Sequence, residues 1–301
     1  MTAAMASAGF NNPYFTQEPG RAQNGYATPL TPTAPPVPPA QGVADQAQIE
    51  GMYAAPSAGT PQTGRMTYED TIVKTVILFA IMLAVGVVSW FITLGGTLSP
   101  QSAPTLNLLP AIIGAVGTLV ISLVIAFRKT APVALTFAYA VVEGLFVGGI
   151  SAFFEVVWPG IVFQAALATI AVIGTTLALF ASGKIRASAK MTKIVMIAMI
   201  GYGVFSLLNI GLMMFGVLPP ELTFGMRDIT IMGIPLGVII GIAVVLMGAY
   251  MLVLDFDAIQ RGVRNGAPAK LAWTAAYGIM ATVVFIYIEI LRMIAILRGS
   301  D

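Results

Sequence analysis

Apolar residues dominate the chain from residue 71 onward, in stretches long enough to cross a lipid bilayer. A membrane-spanning helix needs about 20 mostly apolar residues, and the short gaps between these stretches contain Gly, Pro, Ser and Asn, which favour turns. Backbone groups in lipid must be hydrogen-bonded within their own segment, so the stretches predict helices rather than strands. Seven spans are predicted, over residues 71–94, 107–127, 132–153, 160–181, 194–216, 231–254 and 273–297.

The first 64 residues follow a different pattern. They contain 10 of the 19 prolines, together with many Gly, Ala, Gln, Thr and Asn residues, and no apolar stretch that could form a core. This composition predicts a disordered cytoplasmic tail over residues 1–64, ahead of a membrane domain over residues 65–299. The tail lacks a basic region followed by an apolar one, so we do not expect a signal peptide there. Two roles stay open for it, an inert tail and a partner-binding proline motif.

The composition agrees with a protein whose solvent is partly lipid. Hydrophobic residues make up 57% of the chain and charged residues 9%, with a mean hydropathy of +0.89, whereas soluble domains carry roughly 25% charged residues. A net charge of +2 gives no reason to expect a nucleic-acid partner. Without cysteine or histidine, disulfides, Cys/His zinc sites and His-based catalytic triads are excluded. No HExxH, GxSxG or Walker motif occurs either, so we expect no enzyme activity and no cofactor.

The basic residues indicate an orientation, because they concentrate on the cytoplasmic side of membrane proteins. With seven spans, 12 of the 15 basic residues fall on one side, in the tail and its junction and in the second, fourth and sixth loops. Arg227 and Arg298 fall on the other side, and Arg292 lies late in the seventh span. We therefore expect a multi-pass protein of the cell (plasma) membrane with a cytoplasmic N-terminus and an external C-terminus.

Four acidic residues fall within or at the end of a predicted span, where an ionised side chain costs about 2.5–3.5 kcal/mol at the bilayer centre. They are Glu143, Asp255, Asp257 and Glu289. Glu143 lies near the middle of the third span and has no basic partner on its own helix, so it is the hardest of the four to explain as ordinary. Asp255 and Asp257 close the sixth span, and because two helical residues are about 200° apart they cannot face the same way. Since histidine is absent, any pH response must come from carboxylates such as these.

Ordinary structural roles stay open for three of these acids. Glu289 and Arg292 are three residues apart on a helix and could form a self-neutralising ion pair. Asp257 could be solvated beside Arg261, and Asp255 could lie in the headgroup region. The remaining acid, in the third span, needs a partner from another helix or a proton.

Glycines recur every four residues in two of the spans. Gly233, Gly237 and Gly241 begin the sixth span, and Gly144 and Gly148 lie in the third. Such stripes of small residues let helices approach closely. We interpret them as packing faces, which places the third and sixth spans in the interior of the bundle.

Three segments carry a resemblance to a known family. They are Ala140-Val-Val-Glu-Gly-Leu-Phe-Val-Gly-Gly-Ile-Ser151, Val253-Leu-Asp-Phe-Asp-Ala-Ile259 and Tyr287-Ile-Glu-Ile-Leu-Arg292. Each segment alone is a weak signal, but in their order, spacing and seven-span frame they resemble the Bax inhibitor-1/YccA family, also called the transmembrane BAX inhibitor motif family. The chain looks most like the actinobacterial branch, and the resemblance covers about residues 65–299. It implies a seven-helix bundle with helix 7 near the centre.

The resemblance also implies a pH-sensitive calcium leak, gated by two carboxylates on helices 6 and 7. Asp255 matches the acid of helix 6, with Asp257 as the second choice. Glu289 matches the acid of helix 7, with Glu in place of the more usual Asp. Arg128 is the nearest match to a basic partner at the end of helix 2, and Arg292 is a second basic candidate.

In the mechanism that this resemblance implies, the protonated acids hold helices 6 and 7 together and titrate as a unit. Deprotonated, they repel, loosen the helices and offer oxygen ligands to Ca²⁺ as a transiently bound permeant ion. The connection between the two acids looks longer than in compact family members, which bears on whether the carboxyl groups meet.

Two other functions stay open. One is a non-transporting regulator that binds a membrane protease or another partner. The other is a proton-coupled solute transporter with Glu143 and Glu289 as relays, although no inverted repeat with paired broken helices is visible.

Overall fold

The computed structural model describes residues 64–128, 130–219 and 222–299, and the predicted tail lies outside these residues except for its last position. Seven helices, each long and apolar enough to cross a membrane, make up most of the described chain. They are α1 (Tyr68–Thr93), α2 (Leu109–Ala126), α3 (Val133–Val157), α4 (Ile161–Ala181), α5 (Ala189–Met214), α6 (Leu236–Arg264) and α7 (Leu271–Gly299). The predicted all-α seven-span membrane fold is confirmed.

Local sequence signals account for where several helices begin and end. The Thr67 hydroxyl accepts a hydrogen bond from the backbone N–H of Asp70 and so caps α1, and Ser188 caps α5 through the N–H of Met191. Gly183 follows α4 with φ +74°, a conformation that other residues adopt only with strain. These two capping hydroxyl groups and this glycine therefore account for the helix ends at which they lie.

The sixth helix differs from its prediction at both ends. Its expected first residues instead form a two-residue hairpin, in which β1 (Thr230–Ile231) pairs antiparallel with β2 (Ile234–Pro235). The turn contains Met232 and Gly233, both with positive φ, so Gly233 lies outside α6 and takes no part in the predicted glycine stripe. At the other end α6 continues through ten more residues to Arg264. Asp255 and Asp257 therefore lie within the helix and do not close it.

Helix α7 lies at the centre of the bundle. It is the most buried of the seven spans, followed by α6 and α3, and it packs against α6, α1, α4 and α3. On α3, a Cβ at Gly148 would collide with the carbonyl oxygen of Gly86, so α1 and α3 touch backbone to backbone. Gly144 faces the Met82 carbonyl in the same interface. Glycine thus permits the backbone contact between α1 and α3.

Candidate functional site

Asp255 lies in the interface between α6 and α7. Its Oδ2 atom accepts a hydrogen bond from the Thr282 hydroxyl at 2.8 Å. Across the interface Gly278 has no side chain, and a Cβ there would stand 3.1 Å from Oδ1 of the aspartate. Within the described part of the chain no basic side chain forms an ion pair with Asp255. On α7, this carboxyl group therefore faces the Thr282 hydroxyl and the side-chain-free position of Gly278.

Asp257 lies two positions further along α6, about 200° around the helix from Asp255. It forms an ion pair of 2.7 Å with Arg261 on the same helix, and both side chains are partly exposed. This arrangement agrees with the structural role that had stayed open for it, an acid beside Arg261 near a helix end.

Glu289 is buried, with 2% of its surface exposed, and holds three polar partners. Its Oε2 atom accepts a hydrogen bond of 2.5 Å from the Tyr202 hydroxyl and one of 2.7 Å from Arg292. Its Oε1 atom faces a guanidinium nitrogen of Arg227 at 3.5 Å. One carboxylate is thus placed between two guanidinium groups, which compensate its charge in the interior of the protein.

Arg227 reaches this site from the loop between α5 and α6. Only 3% of its surface is exposed, and its guanidinium donates hydrogen bonds to the Ser206 hydroxyl at 2.7 Å and the Tyr202 hydroxyl at 3.2 Å. The same group lies 5.2 Å and 5.5 Å from the ring centres of Tyr202 and Phe205. Hydrogen bonds and cation–π contacts together replace the water that the cation has lost.

The loop that carries Arg227, residues 224–228, is bound to α5 by a side-chain amide. Asn209 donates to the carbonyl of Phe224 at 3.0 Å and accepts from the N–H of Met226 at 2.7 Å. Asp228 accepts from the N–H of Phe224 at 2.6 Å. Partial burial raises the pKa of Asp228, and the bond from Phe224 acts in the opposite direction. We call residues 224–228 the Arg227 segment.

The expected pair of Asp255 and Glu289 is not formed in this structure. Asp255 contacts Thr282, and Glu289 lies seven residues further along α7, which is about 10 Å at the rise of an α-helix. Residues 265–270 link α6 to α7, and in the resulting register Asp255 lies opposite Gly278 and Thr282. The pairing partners of Glu289 are arginines instead, one of which is the predicted Arg292.

Arg128, the other predicted basic partner, lies exposed just beyond the end of α2. No ion pair of the described chain includes it. The predicted acid Glu143 is buried and accepts a hydrogen bond of 2.8 Å from Thr118 on α2. The partner from another helix that this acid required is therefore a hydroxyl group.

Sequence reasoning missed Arg227, Tyr202 and Thr282. The only signal for Arg227 was its position as one of two arginines outside the predicted spans on the side that is poor in basic residues. Nothing in the sequence distinguished Tyr202 or Thr282 from other polar residues of the spans. Clusters of three or more His, Cys, Asp or Glu side chains that could hold a metal ion do not occur among the described residues.

Comparison with known protein families gives a match. The family model described as "Bax inhibitor 1 like" matches residues 12–299, which is most of the chain. Searches of curated proteins and of solved structures find no match.

Proposed function

The chain belongs to the Bax inhibitor 1-like family of membrane proteins, and on that premise we propose that it is a pH-sensitive cation leak of the cell membrane that passes calcium. The observation that carries the proposal is the placement of Asp255. An acid between two central spanning helices, with a hydroxyl group as its hydrogen-bond donor, is energetically costly in a membrane. Acids in such positions are therefore expected to have a function.

The proposed path follows the interface of α6 and α7. Asp255 and Glu289 succeed one another along it, from the end with the α6–α7 link to the end with the Arg227 segment. Carboxylate and hydroxyl oxygens are the ligands that hard cations such as Ca²⁺ prefer. In this proposal calcium is a permeant ion that Asp255 and Glu289 bind in passing, and no cofactor is required.

Protonation of Asp255 sets the state of the interface in this proposal. A protonated, neutral Asp255 keeps its hydrogen bond to Thr282 and lets α6 stay against Gly278. An ionised Asp255 places an uncompensated charge in a region of low dielectric constant, which favours entry of water and a cation and separates the helices. The leak therefore increases as pH rises.

Two guanidinium groups close the other end of the path. Arg227 and Arg292 surround Glu289 and repel an approaching cation. For a cation to pass, at least one of them must move away from the carboxylate. The structure described here is accordingly the closed state in the proposed cycle.

Calcium efflux from loaded liposomes that contain the full chain tests the proposal. We expect efflux to increase between acidic and mildly alkaline pH, and Asp255→Asn to remove this increase because its amide stays neutral. Asp257→Asn is the matched control two residues away, and it should retain the pH dependence. Absence of efflux from the unmodified protein, or efflux that is unchanged by both Asp255→Asn and Glu289→Gln, would overturn the proposal. A protein without any leak would favour the regulator function.

A further inference from the structure

A second group of polar side chains lies between α2, α3 and α7. Thr118 and Ser122 are four residues apart on α2, as are Tyr139 and Glu143 on α3, so each pair occupies one face of its helix. Tyr277 completes the group from α7, and its ring meets that of Tyr139 edge to face at 4.7 Å. We call these five residues the α2–α3–α7 cluster.

The cluster is separate from the acids of the α6–α7 interface. Tyr277 immediately precedes Gly278, the residue that faces Asp255. Successive residues of a helix point about 100° apart, so the two sites lie on different faces of α7. An ion bound in the cluster would therefore not occupy the proposed leak path.

Two hydroxyl groups in the cluster are buried without a hydrogen bond of good geometry. Ser122 and Tyr277 are 2% and 1% exposed, and neither hydroxyl forms a hydrogen bond of good distance and angle with a described residue. The Ser122 hydroxyl lies beside the phenols of both Tyr139 and Tyr277. Buried hydroxyl groups whose hydrogen bonds are poorly formed are destabilising, so these two oxygens have room for a small guest that the protein chain does not supply.

The charge of the cluster indicates what kind of guest fits. Glu143 is 3% exposed and is the only acid there, with the Thr118 hydroxyl as a hydrogen-bond donor at 2.8 Å. The ion pairs of the described residues do not include Glu143. A buried carboxylate needs a compensating positive charge, and every polar side-chain atom of the cluster is an oxygen.

We propose that the α2–α3–α7 cluster binds one hard monovalent cation, for which sodium is the probe, through Glu143 and the surrounding hydroxyl oxygens. Oxygen ligands favour hard cations over softer transition metals. A single positive charge neutralises the single carboxylate, whereas a divalent cation would leave an excess charge in a medium of low dielectric constant. The bound ion would join α2, α3 and α7 and so stabilise the folded bundle.

Thermal unfolding of the purified full chain in detergent tests this site. The transition temperature is measured in sodium chloride and in choline chloride of equal ionic strength. A ligand that binds the folded state alone raises the transition temperature as its concentration rises, so we expect an increase in sodium but not in choline. Glu143→Gln should abolish the sodium-dependent increase. Asp255→Asn, on the other face of α7, should retain it.

A conservative variant keeps the test decisive if Glu143→Gln does not fold. Ser122→Ala removes one proposed ligand, and the loss of one such contact should raise the half-saturating sodium concentration about tenfold. Equilibrium binding of radioactive sodium gives a second readout, with about one ion per chain expected. Equal stability in sodium and choline, or a sodium response that Ser122→Ala leaves unchanged, would overturn the proposal and leave the cluster with water or a proton.

The sodium site and the leak fail in different ways. Calcium chloride, added at matched ionic strength, should stabilise the protein less than sodium does, and a stronger effect of calcium would overturn the monovalent assignment. Asp255→Asn should lose the pH-dependent increase in calcium efflux and keep the sodium-dependent stabilisation. An unexpected efflux result would contradict the leak, and an unexpected stabilisation result would contradict the sodium site.

Discussion

At the scale of single residues, Arg227 is a cationic side chain that is almost completely removed from water. A guanidinium group that leaves water must recover its hydration energy from new partners. Arg227 recovers it from Glu289, two hydroxyl groups and two aromatic rings. Its carboxylate partner is shared with Arg292, so the charges form a network rather than an isolated pair.

We predict that Arg227→Gln destabilises the folded protein. Breaking a buried ion pair costs about 3–5 kcal/mol, and because Glu289 retains Arg292 and Tyr202 we expect a loss of about 2 kcal/mol. Chemical unfolding in detergent measures it. Arg298→Gln is the control, since Arg298 makes its hydrogen bonds at the surface, where loss should cost less than about 1 kcal/mol. Equal losses in the two variants would contradict the prediction.

At the scale of the helices, the sequence predicted the presence of each helix better than the residues at which it begins and ends. Apolar stretches of span length determine that a helix forms, because a backbone in lipid has few alternatives. The ends of α6 were mispredicted because apolar composition extends into the hairpin at Thr230–Pro235, and because helix formation continues into the charged stretch at 257–264. An ion pair between Asp257 and Arg261, one turn apart, contributes to that continuation.

The candidate site was predictable only as a set of acids. Glu143, Asp255 and Glu289 stand out from apolar surroundings in the sequence. Their partners depend on the register between helices and on where a loop turns inward, which no local pattern encodes. Thus the Asp255–Glu289 pairing was expected from resemblance, whereas the fold places Thr282 and Arg227 beside the two acids.

We predict that Gly148→Ala destabilises the contact between α1 and α3. The new methyl group would collide with the backbone of Gly86, which cannot yield as a flexible side chain can. Overpacking of this kind costs about 1–3 kcal/mol, measured by thermal unfolding in detergent. Gly174→Ala on α4 is the matched control, because a Cβ added there would have no neighbouring side chain or other helix within 4 Å. A destabilisation of the same size at Gly174 would refute the packing argument.

At the scale of the whole molecule, the distribution of basic residues predicts which end of the bundle faces the cytoplasm. The described chain keeps the loop between α1 and α2 at the opposite end from the loop between α4 and α5, since three helices separate them. These two loops therefore report the orientation directly.

We predict that single cysteines in these loops are labelled from opposite sides. The chain contains no cysteine, so Ser99→Cys and Ser182→Cys each introduce one reactive thiol at an exposed position. A membrane-impermeant maleimide should label Ser99→Cys in intact cells and Ser182→Cys only after permeabilisation. The reverse pattern would show that the N-terminus is external.

Helix α5 has a special position in the molecule as a whole. It packs against α6 and the Arg227 segment, and Tyr250 of α6 forms hydrogen bonds with Ser188 and Thr192 at its first turn. At the middle of the helix the Tyr202 hydroxyl binds Glu289, and near the other end Asn209 binds the Arg227 segment. With these two attachments broken, rotation about the first turn would be the easiest motion of α5. The width of the bundle at that face then depends on the Asn209 amide hydrogen bonds and the Glu289 ionic network together, so a local change of charge weakens one of the two attachments that maintain the shape.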